Sequence, residues 1–281
     1  MKIGLISDSF RLGFEDSIKA ASKLGVSGVQ KYMTFGDFTA DTLTPSRVKE
    51  VRDFMESNGL VFSAICGDFG MDLDNDMVVD LSKRVLEKAK ELGCDIVTTH
   101  IGHLYLDEDA RLEKMRKNAS ELAAYADSIG SVFAAETGTE KAPVLKAFLD
   151  SLGAKGLRVN FDPANLVMVA GDDPVKAVYV LRDYIVHTHA KDGVHLRDCD
   201  PARVYSAFAE GGFAKLVEET GELFREVELG KGQVEWNSYL AALKEGSFDG
   251  FLTIEREISG PQQKADILRA KAYIEALLAQ A

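Results

Sequence analysis

No stretch of this chain approaches the roughly 20 consecutive apolar residues that a membrane-spanning helix requires, so no membrane partner is expected. Cysteine is scarce. Cys66, Cys94 and Cys199 are odd in number, widely separated and without CxxC spacing. That pattern excludes a disulfide framework and a zinc knuckle, and it fits a reducing cytoplasm. The opening segment MKIGLISDSF enters a strand-like run at once and lacks the basic region, apolar region and cleavage site of an export signal. The Asn118-Ala119-Ser120 sequon is therefore read as chance. Positive charge is also in deficit: 33 Lys and Arg face 45 Asp and Glu, a net charge of −12. A duplex nucleic-acid partner, bound mainly through phosphate neutralisation, is disfavoured. Common catalytic signatures are missing as well: there is no GxxxxGK[ST] phosphate loop, GxGxxG dinucleotide fingerprint, HExxH or GxSxG elbow. The glycine-containing LGKGQ at 229–233 follows a charged run and reads as a loop near the active face.

What is present is an alternation. With 46% hydrophobic and 28% charged residues over 281 positions, the composition is that of an ordinary globular protein of one domain, 1–281. Short β-branched runs alternate with longer amphipathic segments, which implies βα units and a parallel sheet. Strands are expected near 2–7, 28–32, 61–66, 95–99, 131–136, 157–162, 184–189 and 251–255. Helices are expected over 14–24, 45–58, 76–92, 109–129, 142–152, 173–181, 236–244 and 262–278. Eight of each suggest a closed (β/α)₈ TIM barrel of the α/β class. Gly25, Gly59, Gly93, Gly130, Gly153 and Gly246 stand where left-handed helix caps belong. One connection is too long for a barrel loop: residues 193–235, after the seventh strand, on the face where barrel active sites are built. It is either a lid carrying Tyr205, Phe208 and Phe213 or a helical excursion away from the site.

Four runs close on a polar residue: SVFAAE on Glu136, LRVNFD on Asp162, YIVHTH on His189 and GFLTIE on Glu255. A charge that ends an apolar strand must face a mouth or cleft, because burying it unpaired costs several kcal/mol. Strands five to eight are neighbours in a closed barrel, so these four converge. Three carboxylates together would repel unless a cation intervened, and a divalent ion leaves the cluster near −1. Three oxygen donors and one nitrogen suit Mn²⁺, Mg²⁺ or Co²⁺, with Zn²⁺ as a further alternative. His187, two residues before His189, shares its face one layer deeper, where it either orients a ligand or is a satisfied core residue. His100 and His103 follow the fourth strand and are candidates for the pocket, His100 the better placed. Lys191 and Asp192 either reach substrate hydroxyls or form a solvated turn pair. Gln30, Cys66 and Asp68 also fall at strand ends, but only their position recommends them.

FDPAN at 161–165, HTHAKD at 187–192, FLTIERE at 251–257 and AAETG at 134–138 resemble the xylose isomerase-like barrel superfamily, in its sugar phosphate isomerase/epimerase branch, over essentially the full length. The resemblance implies that Glu136, Asp162, His189 and Glu255 hold one divalent ion, Mn²⁺ foremost, and that Glu136 and Glu255 also move protons. A carbohydrate substrate near His100, Asn165, Lys191 and His187 follows, as does homo-oligomerisation. Chemically, an ion that chelates a carbonyl and the adjacent hydroxyl acidifies the C–H between them. A carboxylate on each face then permits epimerisation, aldose–ketose isomerisation, or dehydration of a keto-sugar or keto-cyclitol. Asn165 departs from the histidine that ketohexose 3-epimerases and abasic-site endonucleases of the superfamily carry three residues after the ligand aspartate. A three-metal nuclease site lacks its further histidines here, and the acidic charge argues against DNA. A non-catalytic sugar-binding subunit is the remaining alternative.

Overall fold

A computed structural model describes residues 1–280 and turns the β-branched runs into strands within two residues of their expected limits. In chain order these are β1 (Lys2–Ile6), β2 (Gly28–Tyr32), β3 (Val61–Cys66), β4 (Ile96–Thr99), β5 (Val132–Glu136), β6 (Leu157–Phe161), β7 (Ile185–Ala190), β8 (Asp192–His195), β9 (Phe224–Val227) and β10 (Phe251–Ile254). β1 to β7 and β10 pair in parallel and close into an eight-stranded barrel, sealed where Lys2 to Leu5 run beside Phe251 to Ile254. The strands are apolar on both faces because helices cover the outside and side chains fill the inside.

The helices are α1 (Phe14–Leu24), α2 (Pro45–Ser57), α3 (Asp76–Glu91), α4 (Asp109–Ser128), α5 (Ala142–Asp150), the single turn α6 (Pro163–Asn165), α7 (Pro174–Leu181), α8 (Pro201–Ala209), α9 (Phe213–Thr220), α10 (Trp236–Glu245) and α11 (Pro261–Gln280). α1 buries Phe14, Ile18, Ala21 and Leu24 at the three- and four-residue spacing of one helical face. Thr44 and Asp173 cap α2 and α7 by accepting backbone N–H bonds, each with proline at the first helical position. Asn118, the sequon asparagine, is buried in α4 and donates to the Leu73 carbonyl at 2.7 Å. Among the described residues no helix is long and apolar enough to cross a membrane.

Five of the six expected caps adopt left-handed φ, from 65° to 84°. Gly246 does not: its φ is −75°, and Ser247 takes the left-handed position at 61°. The helix runs one residue further than the glycine suggests, and the Ser247 N–H closes the turn on the Lys244 carbonyl at 2.9 Å.

The long connection is structured. β8 and β9 form an antiparallel ribbon, and α8 and α9 lie between them. Val204, Leu216 and Leu223 make a small core of its own, joined by Val169 from the segment after β6. Behind the ribbon, LGKGQ is held by Asp192, which is not a solvated turn residue but 1% exposed. Its Oδ1 accepts from the N–H of Gly193 (2.9 Å) and Val234 (3.2 Å), and its Oδ2 from Gly230 (2.9 Å), Gly232 (3.1 Å) and the Trp236 indole (3.0 Å). A Cβ on Gly232 would stand 2.0 Å from Oδ1, so only glycine lets the loop approach.

Candidate metal centre

The barrel register brings four strand ends together. Glu136 is the last residue of β5, Asp162 follows β6, His189 is the penultimate residue of β7 and Glu255 follows β10. One donor atom from each lies within 4.8 Å of the others. His189 Nδ1 stands 3.4 Å from Glu136 Oε1, 3.3 Å from Asp162 Oδ2 and 3.1 Å from Glu255 Oε2. Asp162 and His189 are fully buried, and the glutamates nearly so.

One ring nitrogen carries at most one proton and cannot satisfy three carboxylates. The other nitrogen, Nε2, meets the amide oxygen of Gln30 at 3.0 Å. Asn160 Nδ2 lies further from the same nitrogen, at 3.3 Å, so the closer Gln30 oxygen favours a proton on Nε2, and Nδ1 is the atom turned to the carboxylates, the arrangement a ligating histidine needs. Glu255 Oε2 is buried without a directed hydrogen bond, although Lys191 Nζ lies 3.2 Å away. Burial raises the cost of charge on every member. Against it, His189 and His100 hold Glu136 below its usual range, and Lys191 and His189 do the same for Glu255. Burial wins at Asp162, which is raised. The His189 imidazole is pushed well above its usual value, since Glu136 and Glu255 outweigh its desolvation. A proton on His189 and the ammonium of Lys191 thus offset two of the three carboxylate charges and leave Glu255 Oε2 without a directed donor. A divalent ion fits this donor set in charge, ligand type and spacing.

The site is braced from below by Asn160 and from the cavity side by Asn165. Asn160 Nδ2 donates to Glu136 Oε2 at 3.1 Å, and Asn165 Nδ2 to Oε1 at 3.0 Å. His187 contributes to this brace and does not line the cavity: it is 0% exposed, with Nδ1 2.8 Å from Asn160 Oδ1 and Nε2 2.8 Å from Thr253 Oγ1. Burial pushes it well below its ordinary value, so it stays neutral and bridges a hydroxyl donor to an amide acceptor.

Above the cluster opens a cavity of about 440 Å³. His100, Asn165 and Lys191 line it, together with Glu136 and Glu255. His100 Nδ1 pairs with Asp68 at 2.8 Å; desolvation opposes its charge, but Glu136 and Asp68 raise it to about 10. Lys191 is 4% exposed and lies 3.4 Å from Glu257. His103 instead faces Glu140, 3.4 Å away, and Cys66 is buried outside the cavity. Glu140 and Glu257, which also line it, were not singled out by the sequence, although Glu257 falls two residues beyond Glu255.

The insertion covers this cavity. Val204, Tyr205 and Phe208 of α8 and Phe224 of β9 face it, while Phe213 lies behind, stacked on Phe208 at 4.1 Å. Tyr205 crosses the mouth to donate to Asp72 Oδ1 at 2.5 Å, and Asp72 is also paired with Arg111. Tyr205→Phe is expected to speed amide hydrogen exchange across α8 by roughly tenfold without lowering global stability comparably, because a bond to a charged group is lost at a locally opening segment.

Addition of Mn²⁺ at about a hundred times its Kd should raise unfolding free energy by about 2.7 kcal/mol. Calorimetric melts with and without the ion test this. Asp162→Ala and His189→Ala should lose the gain, and acidification should shrink it because ligands bind deprotonated.

Residues 18–277 match the family model described as xylose isomerase-like TIM barrel. No curated protein sequence gives a significant match. Among solved structures, a xylose isomerase domain protein from Planctomyces limnophilus superposes with a TM-score of 0.74 at 24% identity, over 92% of this chain and 90% of its own. A D-tagatose 3-epimerase-like protein gives 0.75 at 17% identity, over 99% and 97%. The probable 3-DHS dehydratase AsbF from Bacillus anthracis gives 0.74 at 17% identity, over 98% and 99%.

Proposed function

Because the chain belongs to the xylose isomerase-like TIM-barrel family, we propose that it is a divalent-metal-dependent isomerase or epimerase of a sugar or sugar derivative. The observation that carries this reading is the pair Glu136 and Glu255, two carboxylates that border one cage and one cavity from separate strands. A divalent ion held by Glu136, Asp162, His189 and Glu255, with Mn²⁺ the best match, supplies Lewis acidity toward a carbonyl and its neighbouring hydroxyl. Glu136, braced by Asn160 and Asn165, holds a fixed orientation for taking or returning a proton. Glu255, beside the Lys191 ammonium, is the partner for the opposite face. Lys191 and His100 offer donors to substrate oxygens, and the covering α8 limits water at the reacting carbon.

The structural neighbours include an epimerase-like protein and a probable dehydratase, and removal of a proton beside a carbonyl is a first step that either kind of reaction can use. A dehydratase of a keto-sugar or keto-cyclitol is the second reading. Lys191, a buried cation that lines the cavity, favours it by offering a hydrogen bond to a departing hydroxyl.

Incubation of the Mn²⁺-loaded protein in D₂O with a panel of keto-sugars, read by mass spectrometry and NMR, tests the assignment. Deuterium in recovered substrate with an inverted or relocated centre supports the isomerase; loss of water supports the dehydratase. Binding with no exchange across the panel overturns both.

A further inference from the structure

The cavity has a chemical bias beyond its ligand cluster. Three further carboxylates line it, Asp68, Glu140 and Glu257, whereas its cations are Lys191 and His100 and no arginine is among its described lining residues. Both cations are already offset in charge, Lys191 by Glu255 and Glu257 and His100 by Asp68, so the donors they keep suit neutral hydroxyls and not a further anion. Backbone donors at the cavity wall are occupied as well: the Gly70 N–H by Asp68 at 2.8 Å, and the Leu104 N–H by Glu140 at 2.7 Å. A phosphate or carboxylate on the substrate would meet acceptors instead of donors.

The remaining lining is apolar. Met168, Val169, Val204, Phe208 and Phe224 present hydrocarbon to the cavity. Val204 is already buried in the small core of the insertion, but Phe208 is 54% exposed and Val169 and Phe224 are only half-buried. A free sugar bears a hydroxyl on nearly every carbon and makes little use of such a surface. A volume of about 440 Å³ is in the range that encloses a molecule of drug size.

We infer, resting on the isomerase reading above, that the substrate is an uncharged keto-sugar carrying an apolar aglycone, whose sugar meets the carboxylate cluster while the aglycone packs against Val169, Phe208 and Phe224. A glycosidic bond locks the anomeric carbon, so the carbonyl that enediolate chemistry needs must already lie on another ring carbon. The enzyme that supplies this substrate therefore oxidises a ring hydroxyl of a glycoside, passing hydride to a two-electron acceptor of the nicotinamide or flavin class.

The test uses the Mn²⁺-loaded full chain with three probes: methyl 3-keto-β-D-glucopyranoside, its phenyl counterpart and D-fructose 6-phosphate. Titration calorimetry gives affinities, and deuterium uptake from D₂O gives exchange. Burial of the phenyl ring is expected to tighten binding roughly tenfold to a hundredfold over methyl, with the phosphate the weakest. Phe208→Ala, at a half-exposed position where folding is not at stake, and Phe224→Ala should each bring the phenyl-to-methyl ratio toward one. Equal phenyl and methyl affinities, or tightest binding of the phosphate, with exchange intact, overturn the aglycone and leave the isomerase standing. Absence of exchange in every probe overturns the isomerase reading and the inference with it.

Discussion

Glu136→Gln and Glu255→Gln are each expected to lower catalytic turnover by about a hundredfold to ten-thousandfold, the range removed with a positioned general acid or base. Glutamine keeps the shape and one oxygen donor of glutamate but accepts no proton. At position 136 it also meets the amide donors of Asn160 and Asn165, which now face one oxygen and one NH₂ group. Each variant also weakens the ion, so rates must be measured at saturating Mn²⁺, with occupancy followed by electron paramagnetic resonance. The pattern of residual activity discriminates between chemistries. In a two-base epimerase either substitution abolishes inversion, yet the surviving glutamate still exchanges the proton of one epimer. With a single base, one variant loses exchange from both faces and the other keeps it once the ion is restored. Full activity in both variants at saturating metal would remove the two glutamates from the chemistry.

Asp192→Ala is expected to destabilise the protein by about 3 kcal/mol or more, because its carboxylate serves five donors and their partners cannot be replaced by water in a buried position. At about 2–4 °C per kcal/mol, the melting midpoint falls by roughly 6 °C or more. Asp192→Asn should recover only part of this, since its NH₂ group turns toward N–H donors at one of the two oxygen positions. Gly232→Ala attacks the same junction from the other side, by driving a methyl group into Oδ1. Thermal melts of the three variants check the expectation, and a midpoint for Asp192→Ala within a degree of the parent would refute it.

The barrel was legible because its signals are local. β-branched runs, amphipathic faces and helix-ending glycines act within a few residues, and every barrel strand lies where the pattern places it. The convergence of Glu136, Asp162, His189 and Glu255 was also legible, because closure of a parallel barrel makes the ends of β5, β6, β7 and β10 neighbours. Partners that depend on the far wall were not. Gln30 reaches His189 from β2, a separation of 159 residues that no local pattern encodes. Asn160 was readable in principle, since it precedes Asp162 by two residues as His187 precedes His189, and the period of a strand puts both in one supporting layer. The ribbon of β8 and β9 escaped because antiparallel pairing over a helical excursion leaves no contiguous turn signal. Asp192 reads locally as a substrate contact or a solvated turn residue, and neither holds, because the donors that bury it lie up to 44 positions away.

Trp236 is the single tryptophan of the chain, is 2% exposed, and has its indole tied to Asp192. It lies outside the set of residues that line the cavity above the carboxylate cluster. Intrinsic emission from this protein therefore reports the integrity of the junction behind the ribbon. Titrations of the cavity should leave that emission steady until the polypeptide itself lets go.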